Sequence, residues 1–378
     1  MILSGCAAVV RNALPREYSD SARVPGFSVP VRFWGDRPNP ALGREAVRAA
    51  AHDTADGIGS ASALVLTGGG DGGAFGAGLL CGWSARGDRP TFRAVAGVST
   101  GALIAPLAFL SPRYDNALRA AYTSVEFKDI LEVRSYVDWL RYDSIADSRP
   151  LQDITSRLIT ERVLREIARE HARGRRLYIQ TVNLDAQRPV IWDMGAIASI
   201  ASPDAAKLFR RIMVASASFP GVFPPQYLHV EACGRDYDEM HVDGSIISQM
   251  VLNSSAADWA AAFQRPGGER ARIYVIRNGR ALPAWQATSP RTLPIAERAL
   301  ITMTKSQADA DLALAYYRAR ETKGDYFTTS LPGSYVRKSP EEFNKEEMNR
   351  MFQIGYDLAR QGSPWQKAPS NCRPPETP

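Results

Sequence analysis

The chain has 378 residues, of which 45% are hydrophobic and 23% are charged, and its formal net charge is +6. This length predicts one large α/β domain with additions, or two domains at most. The sequence contains no run of about 18 consecutive apolar residues, so we expect no membrane-spanning helix. The basic charge comes without a nucleic-acid-binding motif, and no Cys/His cluster has the spacing of metal ligands. We therefore expect no nucleic-acid partner, no metal ion and no cofactor.

Residues 1–59 are predicted to form an N-terminal extension. Within it, Leu3-Ser4-Gly5-Cys6 fits a bacterial lipobox, in which the cysteine is acylated and anchors the protein to a membrane. This interpretation places the protein in the bacterial cell envelope, facing the periplasm. The residues before Cys6 lack a basic region and a full apolar region. Either the true start lies upstream, or the match is accidental and the protein is cytoplasmic. If Cys6 is lipidated, we expect residues 11–36 to form an extended tether or a strand that wraps the domain.

A short apolar strand is predicted at Ala63–Thr67, and a glycine-rich segment follows it directly. That segment, Gly68-Gly69-Gly70-Asp71-Gly72-Gly73, runs into an apolar stretch that is compatible with a helix. A glycine run before a helix allows backbone N–H groups to approach a ligand closely, with the positive end of the helix behind them. The segment therefore indicates a place where developing negative charge is stabilised.

A second strand, Phe92–Ala96, leads into Gly97-Val98-Ser99-Thr100-Gly101 and another apolar stretch. This Gly-x-Ser-x-Gly pattern is typical of a sharp strand-to-helix turn that exposes a serine hydroxyl as a nucleophile. Gly97 and Gly101 remove the Cβ atoms that would clash at such a bend. If the two strands are parallel neighbours, both turns lie at the same edge of the sheet. A nucleophile beside backbone N–H groups is the arrangement of an acyl-transfer enzyme.

Both motifs have simpler interpretations. A Gly-x-Ser-x-Gly pattern arises by chance in about one chain in eight of this length, as a small-residue turn that packs a helix on a strand. The glycines also satisfy a dinucleotide-binding fingerprint, Gly68-x-Gly70-x-x-Gly73, with Asp88 near the place of a ribose-binding carboxylate. Asp88, however, lies in a predicted loop before the next strand rather than at the end of that strand. The dinucleotide interpretation is therefore the weaker one.

Farther along the chain, Arg157–Arg176 alternates arginine with glutamate and predicts an amphipathic helix. We interpret its charged face as solvated and salt-bridged rather than as a membrane-binding patch. Residues 60–357 are expected to form the main domain, and residues 358–378 a C-terminal tail that is disordered from Ser363 onward. A later strand and two helices are predicted at Arg272–Ile276, Pro290–Arg318 and Phe343–Leu358.

A serine nucleophile needs a base, and the sequence offers several candidates. His229 and His241 flank a loop with acidic residues, and either histidine would complete a Ser-His-Asp triad. Asp243-Gly244 follows an apparent strand, which places a carboxylate at the end of that strand. The simpler interpretation of Asp243-Gly244 is a hairpin turn. These residues by themselves leave the alternatives open.

The combination of motifs resembles the patatin-like phospholipase family, in its bacterial branch. Three blocks of that family are matched in order and spacing by residues 68–73, residues 97–101 and Asp243-Gly244. A fourth block, Val214–Pro225, is similar to the Ala/Ser-rich segment of the family that ends in Phe-Pro-Pro. The resemblance covers roughly Ala63–Arg280. It implies a three-layer αβα fold with a mostly parallel central sheet.

The resemblance also implies a serine acyl hydrolase of the phospholipase A, lysophospholipase or lipase type. Ser99 is then the nucleophile, and Asp243 is the base that takes its proton and later activates the water that hydrolyses the acyl-enzyme. The expected partner is a lipid or acyl ester, with peripheral or lipid-anchored membrane association. The implied oxyanion hole, elbow and Asp-Gly motif comprise Gly68, Gly69, Gly70 and Gly73, then Gly97 and Gly101, and finally Gly244.

Two positions depart from the family pattern. Gly72 stands where the family usually has Arg or Lys, and Ser245 stands where it prefers Gly or Ala. The first departure puts the strength of the oxyanion site in question. It encourages one alternative, a catalytically weak or silent lipid-binding envelope protein. A second alternative is an α/β-hydrolase in which His229 or His241 acts as the base.

The chain contains four cysteines. If Cys6 is lipidated, Cys233 and Cys372 remain in loop-like contexts, and their pairing in an oxidising envelope is a further hypothesis. Cys81 lies in the apolar helix pattern that follows the glycine-rich segment.

Overall fold

The computed structural model describes residues 11–39, 62–110, 112–133, 144, 146–251, 270–285, 287–362 and 364–372. The lipobox cysteine Cys6 lies outside the described residues. The strands are β1 Arg32–Trp34, β2 Ser62–Leu66, β3 Ala94–Val98, β4 Glu132–Val133, β5 Ala146–Asp147, β6 Arg176–Asn183, β7 Arg188–Asp193, β8 Gln226–Ala232, β9 Arg235–Asp243, β10 Arg272–Arg280 and β11 Asp325–Leu331. The helices are α1 Gly73–Arg86, α2 Thr100–Leu110, α3 Asp115–Thr123, α4 Phe127–Ile130, α5 Arg149–Leu158, α6 Glu161–Ala172, α7 Met194–Ala198, α8 Pro203–Ser216, α9 Thr292–Glu321 and α10 Lys345–Arg360.

Nine of these strands form one central sheet, with β1, β7, β6, β3, β2, β10 and β11 in that order from edge to edge. The strands β6, β3, β2, β10 and β11 run parallel to one another. The strands β7 and β9 run antiparallel to β6, and β8 pairs with β9 as a hairpin. The sheet is therefore mostly parallel, as the sequence predicted.

Helices cover both faces of the sheet. Every residue of β2 and β3 is buried, which is typical of parallel strands that are covered on both sides. Ala63 and Val65 of β2 pack in a cluster with Leu312 of α9. Leu64 and Leu66 point the other way, into the large cluster that includes α1, α2 and α10. This alternation along β2 gives three layers, and it confirms the predicted αβα fold.

The N-terminal residues 11–39 lie against the antiparallel side of the sheet. β1 pairs with β7, and isolated bridges join the same segment to β8 and β9. The guanidinium of Arg32 is paired with the buried carboxylate of Glu239 on β9. Burial opposes ionisation of Glu239, but Arg32 and His241 outweigh it and lower the pKa of that carboxyl to about 2. Residues 11–39 therefore wrap the domain, which was one of the two interpretations of this segment.

The single helix predicted over Arg157–Arg176 is wrong. The structure has two helices there, α5 and α6, because Thr160 adopts an extended conformation and its side chain caps the start of α6. Arg162 and Glu166 of α6 form an ion pair, in keeping with the predicted salt-bridged face. Arg175 is buried, and it donates to two backbone carbonyl oxygens.

The proposed disulfide is also wrong, since Cys233 and Cys372 are both free. Cys233 lies at the turn of the β8–β9 hairpin, at the end of β9 that does not pair with β6, whereas Cys372 follows a segment that pairs with the edge strand β11. The strands between them keep the two thiols apart, and a disulfide requires Cα atoms within about 7 Å of each other.

The later elements are observed close to their predicted places, at β10, α9 and α10. The prediction of a disordered tail is wrong for residues 364–372. Gln366 exchanges backbone hydrogen bonds with Thr328 of β11, and the ring of Trp365 packs at 4.8 Å from that of Trp83. Among the described residues, no helix is both long enough and apolar enough to cross a bilayer.

Candidate active site

Ser99 lies at the turn between β3 and α2, as the Gly-x-Ser-x-Gly pattern predicted. Its φ of 55° is in the left-handed region, which is strained for a residue with a side chain and is common at functional turns. A Cβ at Gly97 would lie 2.3 Å from the carbonyl oxygen of Gly101, and a Cβ at Gly101 would lie 2.3 Å from that of Leu66. Glycine is therefore required on both sides of Ser99, in the elbow formed by residues 97–101.

The side chains of Ser99 and Asp243 meet in the structure. Ser99 Oγ donates a hydrogen bond of 2.6 Å to Asp243 Oδ2, although the two residues are 144 positions apart in the chain. The register of β6 explains the contact, because Val98 of β3 pairs with Gln180 and Asp243 of β9 pairs with Thr181. β3 runs parallel to β6 and β9 runs antiparallel to it. The two strands therefore end next to each other, at adjacent residues of β6.

The carboxyl group of Asp243 is buried and has few polar neighbours. Asp243 is 1% exposed and Ser99 is 8% exposed. Burial raises the pKa of Asp243 to about 6, although hydrogen bonds from Ser99 and from the backbone N–H of Ser245 favour the ionised form. Gly244 begins a 3-10 turn at Gly244–Ile246, so the hairpin interpretation of Asp243-Gly244 is wrong. The site holds a carboxyl group that titrates close to neutral pH.

Two buried polar side chains position the elbow. The backbone N–H of Ser99 donates to Ser216 Oγ at 3.0 Å, and the Ser216 hydroxyl donates to the carbonyl oxygen of Gln180 at 2.7 Å. Gln180 Nε2 donates to the carbonyl oxygen of Gly244 at 3.1 Å. Ser216 lies in the Ala/Ser-rich block at Val214–Pro225, but the sequence did not indicate that it contacts the elbow.

Residues 68–73, which we call the glycine turn, lie beside the elbow. A Cβ at Gly68 would lie 3.2 Å from Ser99 Cβ. Gly69 has a φ of 150°, and a Cβ there would lie 1.7 Å from the carbonyl oxygen of Asn278 on β10. Among the described residues, no acceptor bonds the backbone N–H groups of Gly69 and Gly70. These donors belong to the turn that contacts the elbow through Gly68.

The absence of a basic residue at Gly72 also has a steric reason. A Cβ at Gly72 would lie 2.5 Å from the same carbonyl oxygen of Asn278. Asn278 is fully buried, and its side-chain amide donates to the carbonyl oxygen of Thr67. The backbone of Asn278 therefore packs directly against the glycine turn at Gly69 and Gly72. Asn278 and Gly279 lie inside β10, at an irregularity in its register with β11.

A guanidinium group reaches the glycine turn from a distant part of the chain. Arg337 donates to both carboxylate oxygens of Asp71, at 3.3 Å and 2.6 Å, and the backbone N–H of Phe343 donates to Asp71 Oδ2 at 3.0 Å. The residue pair is 266 positions apart, and no local pattern indicated it. These contacts anchor the turn to the segment that precedes α10.

The structure places neither candidate histidine at Ser99. The ionised Glu239 carboxylate only accepts, so His241 Nε2 donates to it at 3.0 Å. Burial lowers the pKa of His241 and keeps the ring neutral, so Nδ1 accepts from the Thr181 hydroxyl at 2.8 Å. Both ring nitrogens of the buried His241 are thus occupied. His229 is exposed on β8, and it pairs with Asp236 instead.

One group of side chains has the composition of a metal site. Potential ligand atoms of His229, Glu231 and Asp236 lie within 4.8 Å of one another on the β8–β9 hairpin. All three side chains are exposed to solvent, and exposed acidic groups are common on protein surfaces without a bound ion. This group lies close to the hairpin turn, whereas Asp243 lies at the other end of β9.

An apolar pocket with a volume of about 60 Å³ adjoins both functional turns. Its lining includes Gly70 of the glycine turn and Thr100 of the elbow. The remaining lining residues are contributed mainly by α2, α3, α4, α5, α8 and α10, namely Leu103, Ala121, Tyr122, Val125, Ile130, Leu151, Ile154, Thr155, Leu158, Met213, Phe343 and Met348. The pocket thus adjoins Thr100, the residue after Ser99, with a mostly apolar lining.

A three-layer α/β fold with a serine on a strained strand-to-helix turn is typical of serine hydrolases. The sequence matches the family model of patatin-like phospholipases over residues 64–254, just over half of the chain, and the protein therefore belongs to this family. Family membership supports lipid acyl hydrolase activity in general. No curated protein matches the chain in sequence.

The fold is also similar to the crystal structure of VipD from Legionella pneumophila, with a TM-score of 0.40 and 13% sequence identity. The alignment covers 81% of this chain and 67% of that chain. Nothing about the activity of the present protein follows from a similarity of this size.

Proposed function

We propose that the protein is a carboxylic ester hydrolase that cleaves lipid esters through Ser99 and Asp243. The observation that carries the proposal is the 2.6 Å hydrogen bond from Ser99 Oγ to Asp243 Oδ2 at the strained elbow. A serine hydroxyl becomes an effective nucleophile when a base is in hydrogen-bond contact with it. The position of the two histidines supports a dyad over a Ser-His-Asp triad, because His241 has both ring nitrogens engaged elsewhere.

In the first half of the reaction, Ser99 Oγ attacks the ester carbonyl carbon while the Asp243 carboxylate takes the hydroxyl proton. Negative charge develops on the former carbonyl oxygen, and the backbone N–H groups of Gly69 and Gly70 donate to it. The tetrahedral intermediate collapses to an acyl-enzyme on Ser99. Protonated Asp243 returns its proton to the departing alcohol, so the carboxylate is regenerated.

In the second half, a water molecule replaces the alcohol. Asp243 takes one proton from this water as its oxygen attacks the acyl-enzyme carbonyl. The second intermediate collapses, the proton returns to Ser99 Oγ, and the fatty acid leaves. The raised pKa of Asp243 suits both roles, because a base is most effective when its pKa is near the working pH.

The apolar pocket of about 60 Å³ has room for a few methylene groups, so it supports the first part of an acyl chain as the group bound beside the elbow. Its lining is made mostly of aliphatic and aromatic side chains, with Thr100 and Tyr122 hydrogen-bonded to each other at 2.7 Å. The Tyr122 hydroxyl also donates to the carbonyl oxygen of Thr100, so both hydroxyl protons have acceptors and the pocket favours a hydrocarbon group over a polar head group.

Labelling with a fluorophosphonate tests the proposal directly. The reagent forms a covalent bond only with an activated serine, and we expect mass spectrometry to locate it on the peptide that contains Ser99. Two variants are the matched controls: Ser99→Ala should lose the label, and Ser334→Ala, which removes an exposed serine on a distant segment, should keep it. Failure of the folded wild-type protein to react would favour the silent lipid-binding alternative and contradict the proposal.

The activity is expected to increase with pH through about 6, the raised pKa of Asp243. The ionised carboxylate is the base, so kcat/KM should fall about tenfold per pH unit below this value and level off above it. The measurement is a profile of kcat/KM with a soluble ester between about pH 4.5 and 8. A His229→Gln variant should show the same midpoint. A flat profile, or a midpoint that moves in this variant, would show that another group is the base.

A further inference from the structure

The first half of α9 extends beyond the edge of the sheet that carries the active site. α9 has 30 residues and would span about 45 Å, whereas the nine residues of β10 span about 30 Å. Because β10 and β11 are parallel, α9 starts at the carboxyl end of β10, which is the edge where the elbow lies. Asp311 of α9 accepts a hydrogen bond of 2.6 Å from the backbone N–H of Gln249, shortly after Asp243. Residues well before Asp311 therefore project past this edge.

The projecting part of α9 exposes large apolar side chains. Its second half packs on the sheet through buried residues such as Leu312, whereas residues 295–303 are mostly exposed. Met303 is 67% exposed, and Trp285, which precedes the helix, is 91% exposed. We call six exposed residues the docking surface, namely Leu282, Trp285, Ile295, Leu300, Ile301 and Met303.

The apolar residues of the docking surface point in several directions around the helix. At 100° per residue, Ile295, Met303, Leu300 and Ile301 lie at about 0°, 80°, 140° and 240° around the axis. A surface helix of a globular protein normally confines its apolar residues to one stripe that faces the core. The exposed apolar residues of α9 therefore do not form a single core-facing stripe, and they are open to an apolar partner such as the boundary between lipid head groups and acyl chains.

Basic side chains outnumber acidic ones along residues 280–305, with Arg280, Arg291, Arg298 and Lys305 against Glu297. Lys305 is paired with Asp309, so Arg291 and Arg298 are the basic residues of the helix end that supply net positive charge. Arg298 donates to the carbonyl oxygen of Ala284, and this bond holds the segment with Trp285 against α9. Basic residues next to exposed apolar ones are typical of segments that bind anionic lipid surfaces, and tryptophan prefers the head-group region.

We propose that the docking surface inserts into the head-group region of an anionic lipid bilayer and turns the active-site edge toward the lipid. The choice of a lipid partner rests on the proposed function, because the surface lies at the same edge as Ser99. A second copy of this chain fits less well, since two such surfaces would bring their basic residues together. The Arg291 side chain is exposed and free to reach phosphate groups as the apolar residues enter the bilayer.

The test uses sedimentation with vesicles of phosphatidylcholine containing about one third phosphatidylglycerol. All proteins carry Ser99→Ala, so that the vesicles are not hydrolysed. We expect a Trp285→Ser/Ile301→Ser/Met303→Ser variant to partition at least about tenfold less strongly than its parent. The matched control is Val29→Ser/Leu184→Ser/Ile200→Ser, which removes exposed apolar residues elsewhere and should remain within about twofold of the parent. Thermal melts must show that both variants are folded.

Two results would overturn the proposal. One is equal vesicle binding by the docking-surface variant and the control. The other is unchanged vesicle binding together with loss of a dimer in sedimentation velocity, which would assign the surface to a second copy. Weaker binding to vesicles of phosphatidylcholine alone, or weaker binding at high salt, would support a contribution of the basic residues to vesicle binding. Hydrolysis of a soluble short-chain ester, with Ser99 restored, separates the two hypotheses: its absence despite normal vesicle binding would reject the proposed function and leave the docking surface in place.

Discussion

An Asp243→Asn variant is expected to hydrolyse a soluble lipid ester about 10³- to 10⁴-fold more slowly than the wild-type protein, measured as kcat/KM. Asparagine has nearly the same shape as aspartate and fits the same buried position. Its amide cannot accept the proton that Ser99 must lose, so the chemical step is blocked while the fold is kept. The rate that remains would come from substrate binding and the backbone donors of the glycine turn.

The controls for this variant distinguish the possible bases. A His229→Gln variant should retain nearly full activity, since His229 is exposed and pairs with Asp236. Ser99→Ala should lose about as much as Asp243→Asn, and combining the two changes should add little, because residues that act as a unit are not additive. Near-full activity of Asp243→Asn would reject the dyad and return the histidines to consideration.

A Gly69→Ala substitution is expected to lower kcat/KM by about 10²- to 10³-fold, the usual cost of losing one oxyanion donor. The new Cβ would lie 1.7 Å from the carbonyl oxygen of Asn278, so the glycine turn must move. Its backbone N–H groups would then no longer point at the oxygen that becomes charged. The measurement compares kcat/KM for a soluble ester with the melting temperature, which reports how far the fold is disturbed.

Gly70→Ala is the matched control for this prediction. Gly70 also has a positive φ, of 55°, but a Cβ there would meet no atom within 4 Å. The change should cost only the strain of a left-handed alanine, about 1–2 kcal/mol, and keep the backbone donor. If Gly69→Ala stayed as active as Gly70→Ala, the glycine turn would not be the oxyanion site.

Much of the local structure was accessible from short sequence patterns. Apolar runs followed by glycines predicted β2, β3 and the two turns, because sharp bends and buried parallel strands tolerate few residue types. The same reasoning failed over Arg157–Arg176, where the charge pattern continued through Thr160 but the helix did not. A capping residue in the middle of a periodic segment was the signal that this interpretation ignored.

Contacts between distant segments were not accessible in this way. The hydrogen bonds from Arg337 to Asp71 and the support of Gly69 by Asn278 join separate parts of the chain. Neither contact produces a periodic pattern or a fixed spacing in the sequence. Both contacts depend on how β10 and the segment before α10 pack against the glycine turn. The steric reason for Gly72 likewise became visible only with Asn278 in place.

The elbow and the glycine turn followed from residues that are adjacent in the sequence, whereas the αβα class and the family followed from the resemblance. Each of these depends on residues that are neighbours along the chain, or on blocks whose order is preserved. Only the tertiary structure decided which acceptor meets Ser99, because Asp243 and His241 are two residues apart on one strand and share its periodicity. The pairing of β3 and β9 with adjacent residues of β6 brings Asp243 to Ser99, while Glu239 and Thr181 engage His241.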